Sequence, residues 1–228
     1  MEIVYVEARK KVYCNFDEQE LLNKLPESLT ILTTVQFLDY AETVRQFLLE
    51  NNFFVKTLTG RHSLYDMQML GCDLLHGTLK DSMNAFLYIG EGKFHPKAIV
   101  LRTNKPVYVL DPNTDKLSIF DRNEADALLK KEKGAIARFL TAKDIGVIIS
   151  TKPGQFHLEK ALNLGQEFPD KIFHFLVCDT IDFYSLQDFS FIECFVNAAC
   201  PRIAYDDSVR LPVPIVDIEA IRKFGKKN

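Results

Sequence analysis

Residues 191–207, FIECFVNAACPRIAYDD, carry an apolar run that ends in a cysteine, a proline and an arginine. Ile192, Phe195, Val196, Ala198 and Ala199 form a short, mostly apolar run, the pattern of a strand covered on both sides in a parallel sheet. Pro201 has no N–H to give and is expected to end the ladder. Ligands of open α/β sheets sit beyond the carboxyl ends of strands, which places Cys200 and Arg202 where chemistry is commonly done. On composition alone the commoner reading is a buried structural thiol followed by a surface arginine, because unpaired cysteine is among the most buried residue types.

The same rhythm extends outward on both sides. LTILTTVQ from Leu29 reads as a strand, and residues 38–51 as a helix in which Tyr40, Val44, Phe47 and Leu48 recur at helical spacing. FFVKTLT is the next strand, and GRHSLYDMQMLGCDLLHG a long loop or short helix that carries Gly71 and Cys72. The strand AFLYIG, a helix over 95–103, the strand PVYVLDP, a short KLSIF segment and a charged helix over 123–141 follow. The pattern then restarts with the strand IGVIIST, a helix over 156–168, the strands KIFHFLVCD, ECFVNAAC and VPIVD, and a last helix over 218–224. Such alternation predicts α/βunits with parallel strands, in two similar halves that meet near residue 142. Ahead of them, MEIVYVEA reads as a buried strand with no partner in view, and residues 17–25 as a helix that starts near Asp17 and stops before Pro26.

A chain of 228 residues that is 47% hydrophobic and 26% charged supplies a core without difficulty. Its formal net charge of -3 provides no basic field, so no nucleic acid is expected as partner, and the short basic tail RKFGKKN reads as a solvated terminus. No apolar run reaches the roughly 18 residues of a membrane helix, and MEIVYVEARK lacks the basic start and long apolar stretch of a leader, so a cytoplasmic protein with no membrane partner is expected. The five cysteines form no CxxC pair, and a reducing compartment disfavours a disulfide framework. Cys194 shares the parity of Cys200 along an extended strand and is expected on the same face. Cys178 is expected on a neighbouring strand, and both are expected buried and inert.

Three expected strand-end loops collect the unusual residues: GEGKFHP, STKPGQ and CPR. Gly90 and Gly92 permit close backbone approach to a ligand, but the loop is neither GxGxxG nor a P-loop. His95 reads either as a donor to a carboxylate or as an ordinary helix-start residue before Pro96. Gly154 and Gln155 are expected to open a helix, where backbone N–H groups either hold an anion or serve as a cap. Asp111, before Pro112, is a turn residue or a ribose-binding carboxylate. No Ser-His-Asp set, HExxH helix or paired-carboxylate motif stands out, so hydrolytic enzymes rank low.

Taken together, LTTVQFLDYAETVRQFLLE, MQMLGCD, FLYIGEGKFHPKAIVL, VYVLDPNT, GVIISTKPGQFHLEKA and FVNAACPRIAYDD resemble the diphthamide synthase family, the archaeal 2-(3-amino-3-carboxypropyl)histidine synthases, in the family's order from near residue 29 to residue 216. The resemblance implies two Rossmann-like parallel-sheet domains, residues 29–142 and 143–228, which correspond to the second and third of the family's three. Residues 1–28 then read as a remnant strand of the first domain plus a linker helix. It also implies a 4Fe-4S cluster held by one cysteine from each domain, here Cys72 and Cys200, with S-adenosylmethionine at the open iron. Thiolate ligation suits iron. The implied reaction is transfer of a 3-amino-3-carboxypropyl radical to a histidine of translation elongation factor 2, the first step toward diphthamide. Gly90, Gly92, His95, Asp111, Gly154, Gln155 and Arg202 are the residues that would meet S-adenosylmethionine, Arg202 by pairing a carboxylate. The sequence departs from the family in lacking most of the first domain, and Cys14 lies in the wrong context to replace its cysteine. Three accounts follow: a separate chain supplies that domain, the protein is an accessory or electron-transfer subunit of a related synthase, or it is a cluster-free small-molecule binder. The first is preferred, and a homo- or hetero-oligomer is expected.

Overall fold

The computed structural model describes residues 4, 6–60, 63–71, 79 and 82–225. The chain divides into two compact units, residues 1–125 and 126–228, with the division inside the charged helix that the sequence places at the end of the first half. Among the described residues no helix is long and apolar enough to cross a membrane.

In the first unit, α1 (Glu18–Lys24) begins where Asp17 accepts the Glu20 N–H at 3.0 Å. The strands β1 (Ser28–Thr33), β2 (Phe54–Thr57), β3 (Phe86–Ile89), β4 (Val107–Asp111) and β5 (Lys116–Ile119) make one sheet in the order β2-β1-β3-β4-β5. The first four are parallel, and β5 returns antiparallel along β4, from Tyr108 opposite Ile119 to Asp111 opposite Lys116. Crossovers run through α2 (Leu38–Glu50), which buries Tyr40, Val44 and Leu48, and α3 (Phe94–Thr103). Leu29, Ile31, Leu87 and Ile89 fill one layer, while Leu32, Phe86, Tyr88 and Ile99 fill the other. Strands buried on both faces are what covered parallel sheets require.

The helix α4 (Arg122–Thr141) leads into the second unit. There β6 (Asp144–Ser150), β7 (Ile172–Cys178), β8 (Cys194–Asn197) and β9 (Ile215–Asp217) form an all-parallel sheet in the order β7-β6-β8-β9. The helices α5 (Leu158–Leu162), α6 (Leu164–Glu167), α7 (Arg202–Tyr205) and α8 (Ile218–Gly225) complete the unit.

Five expectations need correction. MEIVYVEA forms no strand among its described residues: Val4 and Val6 are 76% and 86% exposed, because a strand without a hydrogen-bonding neighbour has no ladder to stabilise it. The following residues attach to the first unit instead, through the Lys10 N–H to the Gln36 carbonyl at 2.9 Å and Arg9 to Asp39 at 2.8 Å. The helix expected over 156–168 starts at Leu158 and is interrupted at Asn163, where Asn163 and Gly165 lower helix propensity. The ladder of β8 stops at Asn197 rather than at Pro201, which precedes α7. Cys194 and Cys200 then belong to opposite layers, because the chain leaves extended geometry between them and parity no longer applies. Cys178 lies on β7, separated from β8 by β6, and is half-buried rather than buried, because β7 is an edge strand.

Candidate functional site

Each sheet reverses its strand order once, between β1 and β3 in the first unit and between β6 and β8 in the second. The carboxyl ends of such neighbouring strands diverge into crossovers on opposite faces and leave a crevice. The candidate residues lie on the loops that follow these ends.

In the second unit, β8 delivers Ala198 and Ala199 into the core and then Cys200 at half-buried depth. The Cys200 carbonyl accepts from the Ile203 N–H at 3.1 Å and from Asn197 Nδ2 at 3.0 Å. Arg202 opens α7 and pairs Asp206 at 2.9 Å, with its side chain 56% exposed. Gly154 and Gln155 sit in the loop after β6, but they do not open α5: the Gln155 N–H donates to the Lys152 carbonyl at 3.0 Å in a turn three residues ahead of the helix. That N–H is already used, which removes the geometry expected for a helix-start anion site. A cavity of about 510 Å³ lies elsewhere in the second unit, bounded by Leu128, Glu132, Tyr205, Ser208, Val213 and Asp217. The Tyr205 hydroxyl donates to Glu132 there at 2.9 Å.

In the first unit, the end of β1 is tied to the segment that leads to Cys72. Thr33 N–H donates to the Met67 carbonyl and Met69 N–H to the Thr33 carbonyl, both at 2.8 Å. Gly71 then packs so closely on the Phe94 ring, at the start of α3, that a β-carbon would lie 2.8 Å from it. Cys72 itself lies outside the described residues. Gly90 follows β3 and donates its N–H to the Leu110 carbonyl at 3.0 Å, and Gly92 is exposed two residues on. Asn113 joins this loop to the end of β4, with Nδ2 2.9 Å from Glu91 and 3.1 Å from Asp111. Asp111 also accepts the Asn113 N–H at 2.9 Å, so its carboxylate closes the β4–β5 turn. His95 stacks on Tyr88, its Nδ1 3.0 Å from the tyrosine hydroxyl. Burial, with Glu91 nearby, pushes the Tyr88 phenol above its ordinary range, so it keeps its proton.

The sequence did not single out Asn197, Asp217, Tyr88 or Phe94. For the first two a signal existed: an amide inside the apolar run CFVNAAC and an acid closing the apolar run VPIVD are polar groups at positions that parallel strands normally bury.

The thiols of the second unit differ in environment. Burial pushes Cys194 up to about 12 and also raises Cys178, beside Asp179. Both shifts disfavour the thiolate that iron takes. Cys200 is the half-exposed thiol on a strand-end loop, and that access fits a soft metal ligand. Among the described residues no group of three or more His, Cys, Asp and Glu side chains converges.

The two units are α/β folds whose sheets each switch strand order once, and in the second the loop after β8 carries Cys200. Over residues 1–221 the sequence matches the model of the diphthamide synthesis protein family, and the chain belongs to that family. It is 30% identical over 194 residues to the 2-(3-amino-3-carboxypropyl)histidine synthase of Pyrococcus horikoshii, an alignment that covers 82% of this chain and 54% of the relative. Subunit 1 of that synthase from Schizosaccharomyces pombe is 26% identical over 227 residues, or 95% of this chain and 51% of the relative. The crystal structure of Dph2 from Pyrococcus horikoshii with a 4Fe-4S cluster superposes with a TM-score of 0.78 at 25% identity, and covers 92% of this chain and 61% of that one. The chain thus spans about half the length of the curated relatives it matches.

Proposed function

We propose that this chain forms part of a 4Fe-4S, S-adenosylmethionine-dependent 2-(3-amino-3-carboxypropyl)histidine synthase, which modifies a histidine of translation elongation factor 2 in the cytoplasm. Its two units take the roles of the second and third Rossmann-like domains of the family. The observation that carries this reading is the half-exposed Cys200 at the sheet switch of a chain that belongs to the family. When bound, the cluster supplies an open iron and one electron for cleaving S-adenosylmethionine toward a 3-amino-3-carboxypropyl radical. Cys200 and Cys72 are the ligands proposed within residues 1–228, and the remaining thiolate is assigned to a first domain outside them, for which a separate chain or a related synthase subunit is the proposed source. Gly90, Gly92, His95, Asp111, Gly154, Gln155 and Arg202 are proposed to meet S-adenosylmethionine, a role supported by their place after strand ends. Arg202, already 2.9 Å from Asp206, can exchange that carboxylate for the ligand's.

Anaerobic reconstitution with iron and sulfide, in the presence of a first-domain chain, tests this directly. The expected outcome is 4Fe-4S absorption and an electron paramagnetic resonance signal on reduction, followed by transfer of labelled aminocarboxypropyl to elongation factor 2. Cys200→Ala is expected to abolish both. Transfer that survives in Cys200→Ala would remove the site assignment.

A further inference from the structure

The Asn197 side chain is fully buried at the end of β8 and makes three hydrogen bonds. Its Oδ1 accepts the Ala199 N–H at 3.2 Å, and its Nδ2 donates to the Cys200 carbonyl at 3.0 Å and to Asp217 Oδ2 at 3.2 Å. Asp217, paired with Asn197 across the β8–β9 register and only 3% exposed, uses its other oxygen to accept the Glu219 N–H at 3.0 Å in the first turn of α8. These partners settle the orientation of the amide. Reversal would set its oxygen against a carbonyl and a carboxylate, and its N–H against another N–H. One side chain therefore grips the backbone on both sides of the turn before Cys200 and anchors it to the neighbouring strand.

We infer that Asn197 is the positioning residue for Cys200, and that Asp217 holds Asn197 in the orientation this requires. What Cys200 ligates rests on the function proposed above; the clamp itself does not. Metal sites tolerate only a few tenths of an ångström in ligand placement, so a loop held by the Ile203 N–H alone would bind the cluster poorly. Asparagine is required rather than aspartate, because a carboxylate accepts but does not donate.

The experiment separates this role from ordinary stability. In the full chain, Asn197→Asp opposes two carboxylates across β8 and β9. Combining it with Asp217→Asn restores a donor–acceptor pair between the strands but leaves no donor for the Cys200 carbonyl. The double variant is expected to regain most of the unfolding temperature lost in Asn197→Asp, while Cys200 alkylates about tenfold faster than in the wild type, relative to Cys178. Its reconstituted cluster is expected to be lost sooner to a chelator. A wild-type alkylation rate at Cys200 in the double variant overturns the inference. Should that variant not fold, Asn197→Ser takes its place with the same two readings. Failure of the wild type to take up a cluster would sink the proposed function, and the alkylation rates would still decide the clamp.

Discussion

Cys194 is buried, whereas Cys178 and Cys200 are half-buried at the border of one apolar cluster, so burial sets Cys194 apart from the other two. Cys194 lies in the layer with Val196, Ala198 and Phe139, whereas Cys200 borders Ile203 and Phe195. Because burial raises the Cys194 thiol from its ordinary value of 9.0 to about 12, the folded state keeps a proton that the unfolded chain releases. The stability this contributes is full below about pH 9 and is lost as pH rises toward 12. Denaturant titrations from pH 8 upward should show that decline, and Cys194→Ala should flatten part of it; parallel curves for the two proteins would contradict the assignment. The burial of Cys194 was legible in the sequence, whereas the half-exposure of Cys178 was not, nor the layer that Cys200 faces, because parity along β8 ends where Asn197 turns the chain.

At the scale of elements, β6 and β8 form the centre of the second sheet, and one residue of β6 leaves room for side chains packed over it. Gly146 pairs with Phe195 across the ladder, and a β-carbon there would lie 2.6 Å from the Phe195 ring and 2.7 Å from Ile192. Gly146→Ala is therefore expected to destabilise the chain by about 1–3 kcal/mol, the usual cost of overpacking a filled core. Equilibrium unfolding would measure it, and an unchanged midpoint would show that the ring moves aside freely. The spacing of Tyr40, Val44 and Leu48 placed α2 within a residue of its observed end, because all three really are buried on one face. The α5–α6 region was read as one helix because Leu158, Ala161 and Leu164 keep helical spacing through the interruption at Asn163.

For the molecule as a whole, each sheet has a covered interior and a poorly covered edge. Ile172, Phe175 and Val177 on the edge strand β7 are 46%, 38% and 54% exposed, whereas β6 beside it is buried along most of its length. Hydrogen exchange should be slowest in β1, β3, β6 and β8 and faster in β2 and β7, since protection follows buried, doubly paired backbone. Protection of β7 equal to that of β6 would mean that another chain pairs with this edge. Local spacing of apolar residues established which segments are strands or helices, and in what order, because the periods of 2 and 3.6 are imposed by each element's own backbone. The family resemblance is what proposes Cys72 and Cys200 as ligands. Folding across distance decided the rest: which layer Cys194 and Cys200 face, where β8 stops, and that Asn197 meets Asp217 beside Cys200. Those contacts depend on register between strands separated in the chain, and no local period encodes that register. The stretch 191–207 thus named its thiol from sequence, and only the packing of β8 against β9 supplied the amide that holds it.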